Sequence, residues 1–363
     1  MVTDNLPSAR FKERPEDFVV EEIPAYPASG SGEHVLIEFK KRLMTTEEAV
    51  RAIARALGAD PRAAGYAGQK DKYAVTTQRA TFQVPIKVDF EPLLAKLDAP
   101  GLEILSVTRH NGKLKPGHLR GNRFVIVLRE LEPEAAERVA ASLRQAASGF
   151  PNAFGPQRFG RDGDNPSRAL AWISGSERPP KDRREQRLLF SSLQSLLFNE
   201  LLAIRVADGS WDNVLAGDLV KKHDTGGLFL APLEGPELED AQQRARAAEV
   251  SATGPIFGAS MRWPEGEARA REEAALTARG LTSEAFNRFS QLGEGTRRPL
   301  RVLPEGLGLE TVPGGLRATF VLPKGAYATT VLASACRLVE VRYTPEGPSS
   351  PEAAEPSAGP GDT

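Results

Sequence analysis

The segment from Gly65 to Gln78 reads Gly-Tyr-Ala-Gly-Gln-Lys-Asp-Lys-Tyr-Ala-Val-Thr-Thr-Gln, and it is the densest run of polar chemistry in the chain. Its glycines allow a tight turn and a close approach to a ligand. Asp71 lies between Lys70 and Lys72. A carboxylate on such a loop, next to cations and before a strand-like run, is suited to act as a nucleophile or general base. The alternative interpretation is a solvated turn with exposed ion pairs, which are common and weak.

The composition is typical of a soluble globular protein. The chain has 363 residues, of which 40% are hydrophobic and 26% are charged, so it is long enough for two domains. Its apolar runs are far shorter than the ~20 residues that a membrane span requires. Cys336 is the only cysteine, which fits a reducing cytoplasm, and the four histidines lack zinc spacing. We therefore expect a cytoplasmic protein with no metal and no membrane contact.

The charge distribution is more informative than the net charge of −1. The last twenty residues hold four acidic residues and no Lys or Arg, so the rest of the chain is slightly basic. From Arg109 to Arg123 there are five basic residues and no acid, interleaved with Gly, Pro and Asn. This pattern predicts a loop that can bind phosphates, although a solvated charged face is the alternative.

A third cluster reads Phe150-Pro-Asn-Ala-Phe-Gly-Pro-Gln-Arg-Phe-Gly160. Aromatic residues on a Gly/Pro-rich loop cannot all reach a core, and an exposed ring can stack on an unpaired base. Of these rings, Phe159 is expected to fold over the core. Together these segments supply a set of basic residues that are candidates for RNA contact, with a solvated surface as the alternative: Lys70, Lys72, Arg109, Lys113, Lys115, Arg120, Arg123 and Arg158.

Hydrophobic periodicity predicts strands before and after a mostly helical middle. Alternation over His34–Lys40 predicts a half-buried strand, and the doubly apolar run Phe124–Leu128 predicts a central strand. A capping box at Thr45 with Glu48 and a Gly stop at Gly58 bound a predicted helix. Further predicted helices are Pro133–Gly149, Leu188–Val206, Pro236–Val250 and Gly266–Arg279. Arg161–Ser176 is a predicted boundary, and Thr253–Gly258 a predicted loop without an assigned role.

The Gly65–Gln78 segment closely resembles the signature of the TruD family of tRNA pseudouridine synthases, which has its catalytic aspartate in Gly-Gln-Lys-Asp-Lys. An N-terminal pattern, Lys12-x-x-Pro-Glu-Asp-Phe-x-Val-x-Glu22, resembles a second motif of that family, and the aromatic loop a third. The chain departs from the family at Ala153, where a Tyr is usual. It departs again at Ala333-Ser334, where Arg-Glu is usual.

The resemblance implies an α+β fold, the pseudouridine synthase fold, built on a mixed and largely antiparallel sheet. It also implies a catalytic domain split into residues 1–166 and 297–343, with a family-specific α+β domain inserted at 167–296. Residues 344–363 are expected to be a disordered acidic tail, since Pro, Glu, Ala, Ser and Gly dominate there.

By the same resemblance the chain isomerises uridine 13 of tRNA to pseudouridine, without a cofactor and as a monomer. Asp71 would act at the ribose, either by attacking C1′ or by abstracting the C2′ proton. Lys12 would reach Asp71, Phe154 would stack on the extracted base, and Asn152 and Gln78 would give polar support.

Two other functional classes, a non-catalytic RNA-binding protein and a glycoside hydrolase, share part of this pattern. A non-catalytic RNA-binding protein would use the same basic loops, but it has no need of the Gly-Gln-Lys-Asp-Lys motif. A glycoside hydrolase would need a second acid in a comparable motif. Glu16 and Asp17 precede a strand and are interpreted as structural.

Overall fold

The structure, a computed structural model, describes residues 6–160, 162–341, 343–344 and 347–348. The chain divides into two compact units. The first comprises Met1–Ser142, Glu305–Lys324 and Ala335–Thr363, and the second comprises Leu143–Pro304 and Gly325–Ser334. The predicted insert, 167–296, falls inside the second unit, and its boundaries stay a prediction.

The strands are β1 (Ser8–Phe11), β2 (Phe18–Pro24), β3 (His34–Arg42), β4 (Gly65–Tyr66), β5 (Val75–Gln83), β6 (Leu102–His110), β7 (Leu119–Arg129), β8 (Phe150–Pro151), β9 (Leu219–Lys222), β10 (Leu228–Leu230), β11 (Val250–Ile256), β12 (Thr296–Pro299), β13 (Arg301–Val302), β14 (Glu305–Val312), β15 (Gly315–Pro323), β16 (Arg337–Glu340), β17 (Tyr343–Thr344) and β18 (Gly347–Pro348).

The α-helices are α1 (Thr46–Leu57), α2 (Glu91–Leu94), α3 (Pro133–Gln145), α4 (Asn165–Ile173), α5 (Arg183–Ala207), α6 (Pro236–Arg246), α7 (Gly266–Thr277) and α8 (Ala328–Ala333). Short 3₁₀ turns cover Pro15–Asp17, Ala146–Ser148, Pro156–Arg158 and Ser283–Phe289. Within the described part of the chain, no helix combines the length and apolar character needed to cross a bilayer.

The first unit is built on one sheet with the strand order β14-β15-β7-β2-β5-β3-β6. Strand β1 pairs with both β7 and β16, and β4 pairs with β5. The pairs β1–β16 and β2–β5 are parallel, whereas the other pairs of this sheet are antiparallel. The predicted mixed, largely antiparallel sheet is confirmed, as is the interior position of the strand that contains Phe124–Leu128.

One face of β3 supplies much of the core of this unit. Val35, Ile37 and Phe39 are fully buried and belong to one cluster with the apolar stripe of α1. Helix α1 begins where Thr45 and Glu48 form the predicted capping box, and it ends at Gly58, whose φ of 67° is left-handed. The caps therefore set the ends of α1, and the alternation of β3 provides the apolar face against which α1 packs.

The second unit contains a four-stranded sheet, β10-β9-β11-β12, and the 25-residue helix α5. The apolar stripe of α5 includes the buried residues Phe190, Leu193 and Leu197, which share a cluster with Phe257 and Phe286. The predicted long apolar helix is confirmed, and it extends a few residues beyond the predicted ends.

One prediction for this unit is wrong. The predicted loop over Thr253–Gly258 begins within β11, since Thr253–Ile256 belong to that strand. A Cβ on Gly254 would lie 2.9 Å from a ring carbon of Phe198. The glycine is therefore needed for close packing of the strand against that ring, and it does not form a turn. The segment Arg161–Ser176 contains α4, whose Ala169, Trp172 and Ile173 are buried, and the domain boundary predicted there stays a prediction.

The predicted tail falls mostly outside the described residues. Of the predicted tail, the structure describes Thr344 in β17 and residues 347–348, which form β18 and pair with β17.

A buried ion pair supports the second unit and gives a test of its stability. Asp218 accepts hydrogen bonds from two guanidinium nitrogens of Arg205, and both side chains are 3% exposed. Asp218→Ala should lower the free energy of unfolding by about 3–5 kcal/mol, because it leaves a buried cation unpaired. All three tryptophans lie in this unit, so their fluorescence during urea denaturation reports its unfolding.

The matched control is Asp240→Ala, which removes an exposed partner 3.8 Å from Arg244. That substitution should cost about 0–1 kcal/mol. Equal effects of the two substitutions would contradict the structural role given to Asp218.

Candidate active site

Asp71 lies on the loop between β4 and β5 of the first unit. Its Oδ2 accepts a hydrogen bond from Nζ of Lys12 at 2.5 Å, and its Oδ1 accepts from the backbone N–H of Tyr73 at 3.0 Å. The side chain keeps 34% of its surface exposed. The carboxylate is therefore oriented by two donors, and it keeps acceptor capacity for a ligand.

Lys12 is placed by an unusual backbone conformation directly after β1. Its φ of 59° is left-handed, which is costly for a residue with a side chain. The side chain is only 8% exposed, and Nζ lies 4.8 Å from the ring centroid of Phe18. A buried ammonium needs opposite charges, and Lys12 finds two. The contact between Lys12 and Asp71 that the resemblance implied is present.

The second partner of Lys12 is Glu340, which the sequence reasoning missed. Its Oε1 lies 3.0 Å from Nζ of Lys12. The parallel pairing of β1 with β16 places Glu340 directly opposite Phe11, the residue before Lys12. No local motif marks Glu340, because its role depends on pairing between residues more than 300 positions apart.

Lys41 is a second cation at this loop that the sequence reasoning missed. It is fully buried, and its Nζ donates to the carbonyl oxygens of Met44 at 2.6 Å and Asp71 at 2.8 Å. Burial lowers the pKa of Lys41 from 10.5 to about 8, and the nearby charge of Asp71 opposes that shift. Lys41 therefore remains mostly protonated at neutral pH and fixes the main chain of the loop that carries Asp71.

The two lysines that flank Asp71 in sequence do not hold its carboxylate. Lys70 forms an ion pair with Glu22 at 3.1 Å, and both side chains are almost fully buried. Lys72 is more exposed and lies 3.9 Å from Glu48. Because the Lys70 ammonium is paired inside the protein, we leave Lys70 out of the proposed RNA-binding set and keep Lys72.

Gln78 supports the loop from behind. It is fully buried, and its Oε1 accepts a hydrogen bond from the hydroxyl of Thr46 at 2.8 Å. The same Thr46 oxygen accepts the backbone N–H of Lys70 at 2.9 Å. Gln78 is thus linked through Thr46 to the backbone of the loop that carries Asp71. This contact is consistent with the polar support predicted for Gln78.

The basic stretch from Arg109 to Arg123 is only partly a loop. β6 ends at His110 and β7 begins at Leu119, so its arginines lie on strands. Arg109 donates to the carbonyl oxygens of Val84, Pro85, Ile86 and Val88, which gives it a structural role and removes it from our proposed RNA-binding set.

The other basic residues of this stretch differ in their partners. Arg120 pairs with Glu305, and Arg123 pairs with Glu21, in exposed or half-exposed ion pairs. Lys113 and Lys115 are exposed, and among the described residues neither has an acidic partner. These two lysines are the best placed of the five to receive phosphates.

The aromatic loop belongs to the second unit, where Asn152 is buried at its centre. Its side chain donates to the carbonyl oxygen of Pro299 at 2.8 Å and accepts from Arg298 at 2.5 Å. Arg298 also donates to the Asn152 carbonyl oxygen and to that of Gly325. Burial lowers the pKa of Arg298 to about 10, which leaves it charged at neutral pH. Asn152 thus holds Arg298 in place.

The Phe154 ring lies directly beside that cation. The Arg298 guanidinium carbon is 4.0 Å from the ring centroid, and the rings of Phe198 and Tyr327 contact it edge-on. The backbone N–H and C=O of Phe154 are both bound by the side-chain amide of Asn199. The half-buried ring is therefore fixed in position before a ligand arrives. Arg298 is a further residue that the sequence reasoning missed.

Arg158 completes this cluster. Its guanidinium carbon lies 5.7 Å from the Phe154 ring centroid, and its Nε donates to the hydroxyl of Ser195 at 3.2 Å. Ser195 and Asn199 anchor neighbouring groups, since Ser195 donates to the Ser191 carbonyl oxygen and Asn199 binds the Phe154 backbone. The acids of Glu16-Asp17 are structural, since Asp17 binds Arg129 through both carboxylate oxygens and Glu16 pairs with Arg42.

The chemistry available is a half-exposed carboxylate held by a buried ammonium, and separately an aromatic ring backed by a guanidinium. The first suits attack on an electrophilic carbon or removal of a proton. The second suits stacking of a planar ring. Among the described residues, no group of three or more His, Cys, Asp or Glu side chains is arranged to hold a metal ion.

Comparisons with known proteins agree on one family. The family model described as tRNA pseudouridine synthase D (TruD) matches residues 4–165 and 182–334. A protein named tRNA pseudouridine synthase D from Anaeromyxobacter sp. (strain Fw109-5) is 45% identical over 342 residues, covering 92% of this chain and 94% of that protein. Its namesake from Thermus thermophilus is 40% identical over 360 residues, covering 98% of this chain and 96% of that protein.

A solved structure shows the same fold. The crystal structure of the putative tRNA pseudouridine synthase D from Methanosarcina mazei matches with a TM-score of 0.69 over 92% of this chain and 94% of that chain. The sequence identity of this pair is 23%, so the likeness is one of fold.

The buried Lys41 gives a pH-dependent test. In the folded protein its pKa is about 8, and in the unfolded chain it returns to about 10.5, so the unfolded state binds more protons between these values. The contribution of Lys41 to the free energy of unfolding should therefore rise with pH from about 8 to about 10.5 and be flat below. The measurement is urea denaturation followed by circular dichroism for the wild type and Lys41→Met at several pH values.

The difference between the two proteins isolates Lys41 from the other titrating groups. We expect the wild type minus variant difference to increase from pH 8 to pH 10. A difference that stays constant over this range would contradict the burial of a titrating Lys41.

Proposed function

Because the chain belongs to the TruD family of tRNA pseudouridine synthases, we propose that it isomerises uridine 13 of tRNA to pseudouridine with Asp71 as the catalytic carboxylate. The enzymes of this family are isomerases. In this reaction the bond from N1 of uracil to C1′ of the ribose breaks, the base turns, and a bond from C5 to C1′ forms. C5 loses a proton and N1 gains one, so atoms balance without a cofactor.

The observation that carries the proposal is the half-exposed Asp71 carboxylate bound to the buried ammonium of Lys12. Lys12 also pairs with Glu340, so a single ammonium faces two carboxylates. Asp71 therefore keeps negative charge to attack C1′, or to remove the C2′ proton. Both routes use the same carboxylate, and both need it ionised.

Phe154 is the residue that we propose to stack on the detached uracil. A base in a helical stem must be extracted before its sugar can be attacked, and an aromatic ring compensates for the lost stacking. The ring is held by Asn199 and backed by Arg298, so little conformational freedom is lost when a base binds. Asn152 acts through Arg298 as a positioning residue.

Recognition of tRNA is proposed to depend on exposed or half-exposed cations. Lys72, Lys113, Lys115, Arg120, Arg123 and Arg158 form this set. Contacts of lysine and arginine with phosphates make binding strong and dependent on salt, whatever the sequence of the RNA.

The decisive prediction concerns Asp71→Asn, which keeps the shape of the side chain and removes its charge. Pseudouridine formation should fall below detection, while tRNA affinity should stay equal or rise slightly, because the phosphate contacts are elsewhere. The measurement is single-turnover conversion on total tRNA, with the modified positions mapped. The wild type should modify position 13.

Asp60→Asn is the matched control. Asp60 is also an exposed loop aspartate of the first unit that accepts the backbone N–H two residues further on, as Asp71 does. This variant should retain the wild-type rate. A substantial rate for Asp71→Asn with a native circular dichroism spectrum would remove Asp71 from the chemistry, and a product at another position would refute uridine 13 alone.

Phe154→Ala should lower the single-turnover rate at saturating enzyme about 5- to 150-fold, which corresponds to the ~1–3 kcal/mol of stacking of one base on an aromatic ring. Phe154→Tyr should lose less, because it keeps the ring. The control is Phe229→Ala, since Phe229 is another half-buried phenylalanine of the second unit with an arginine, Arg244, 5.7 Å from its ring centroid. A Phe154→Leu protein with the wild-type rate would show that the aromatic ring is not needed.

A further inference from the structure

An exposed tyrosine lies on the loop between β2 and β3. Tyr26 keeps 40% of its surface exposed. Its ring is nearly parallel to that of His110, with an interplanar angle of 12° and centroids 5.8 Å apart. Its hydroxyl lies 2.6 Å from Nδ1 of His118. The polar end of Tyr26 is therefore already used, and what it offers to a partner is ring surface.

The loop that carries Tyr26 is fixed in place. Ser29 donates its backbone N–H to Nδ1 of His110 at 3.2 Å, and its hydroxyl accepts the backbone N–H of Asn111 at 2.9 Å. Gly32 has a φ of 124°, and a Cβ there would lie 2.3 Å from the His110 carbonyl oxygen. The loop thus packs against the end of β6 in a way that only glycine permits. A ring held in this way loses little entropy on binding.

His110 provides a neutral support beneath the ring. It is buried, and burial lowers its pKa, with the charges of His34 and Arg79 acting in the same direction. The Ser29 N–H can donate only to an unprotonated Nδ1, which agrees with a neutral imidazole. Tyr26 thus rests on an uncharged ring.

The loop that holds the partner of Tyr26 carries positive charge that has no acidic partner among the described residues. Its partner His118 belongs to the 111–118 loop, which also carries the exposed Lys113 and Lys115. Lys324 reaches the same loop, where its Nζ donates to the carbonyl oxygen of Gly117 at 3.1 Å. From residue 109 to residue 123 the chain holds no acid. A ring beside unpaired lysines matches the chemistry of a nucleotide, a planar base attached to a phosphate.

This loop is joined directly to the catalytic loop. The N–H of Gly117 donates to the carbonyl oxygen of Ala67 at 2.8 Å. A Cβ on Gly65 would lie 2.3 Å from the Leu114 carbonyl oxygen, so the two backbones touch where Gly65 stands. An RNA strand that follows the lysines therefore passes beside the segment that leads to Asp71.

We propose that Tyr26 is a second stacking platform, which binds an unpaired nucleotide of the tRNA other than the reacting uridine, with Lys113 and Lys115 on its phosphates. The identity of the RNA as tRNA rests on the proposed function. The stacking itself does not depend on the role of Asp71. The lysines of the neighbouring 111–118 loop favour a nucleic acid over a protein partner, because that loop supplies positive charge and holds no acid.

The test is equilibrium binding of an unmodified tRNA transcript to full-length variants. Tyr26→Ala should weaken binding about 5- to 150-fold, the range for one stacked base. Tyr26→Leu keeps apolar bulk without an aromatic face and should lose about as much, whereas Tyr26→Phe should keep most of the affinity. Ile86→Ala is the control, because Ile86 is 66% exposed in the same unit and lacks an aromatic ring.

Salt dependence separates the ring from the lysines. The slope of log affinity against log salt should be unchanged in Tyr26→Ala, whereas the Lys113→Ala/Lys115→Ala double variant should reduce its magnitude by about 1.5–2. In single-turnover conversion, Tyr26→Ala should raise the half-saturating enzyme concentration by a larger factor than it lowers the saturated rate. Circular dichroism confirms that the variants are folded.

Several results would overturn the proposal. Wild-type affinity in Tyr26→Ala would do so, and so would full affinity in Tyr26→Leu. An equal loss of affinity for a fully paired RNA duplex would also refute it, since a duplex offers no unpaired base. Binding is measured without turnover, so failure here leaves the assignment of Asp71 intact, and failure of Asp71 leaves this result interpretable.

Discussion

The buried ammonium of Lys12 is the constraint on which the geometry of the first unit depends. A charge that is largely removed from water must meet opposite charges at short range, and Lys12 meets Asp71 and Glu340. Lys12 directly follows β1, Asp71 lies on the loop before β5, and Glu340 is the last residue of β16. The left-handed φ of Lys12 is tolerated because both carboxylates and the ring of Phe18 hold its side chain. The pairing of β1 with β16 therefore brings Glu340 to the ammonium that orients the candidate nucleophile.

Much of this could be predicted from sequence where the determinants are local. The capping box of α1, the alternation of β3 and the apolar stripe of α5 each specify an element through neighbours a few residues away, and all three are confirmed. The carboxylate Asp71 and its partner Lys12 were found through motifs. Their contact is present in the structure, whereas their catalytic roles stay predictions.

What sequence reasoning missed depends on contacts between distant segments. Glu340 lies in no motif and becomes a partner of Lys12 only through a parallel strand pair. Lys70 stands beside Asp71 in sequence, but its side chain is directed to Glu22. Lys41 did leave a signal, because it continues the inward-facing series Val35, Ile37 and Phe39 on β3. A lysine at a core position of a strand needs buried acceptors. That requirement would have indicated a contact with a neighbouring loop, which is the loop that carries Asp71.

The guanidinium behind Phe154 has a consequence for the proposed reaction. A cation on one face of an aromatic ring draws electron density toward itself, so the opposite face becomes less negative. When the bond to C1′ breaks, the departing uracil carries the bonding electrons and becomes more negative than the bound uridine. On the proposed role of Phe154, a ring backed by Arg298 favours that electron-rich uracil over the neutral base. Stacking would then be stronger as the bond breaks than before, and only such differential binding accelerates a chemical step. On the proposed role of Phe154, the half-buried Arg298, held by Asn152 and charged at neutral pH, would in this way contribute to catalysis through the ring it supports.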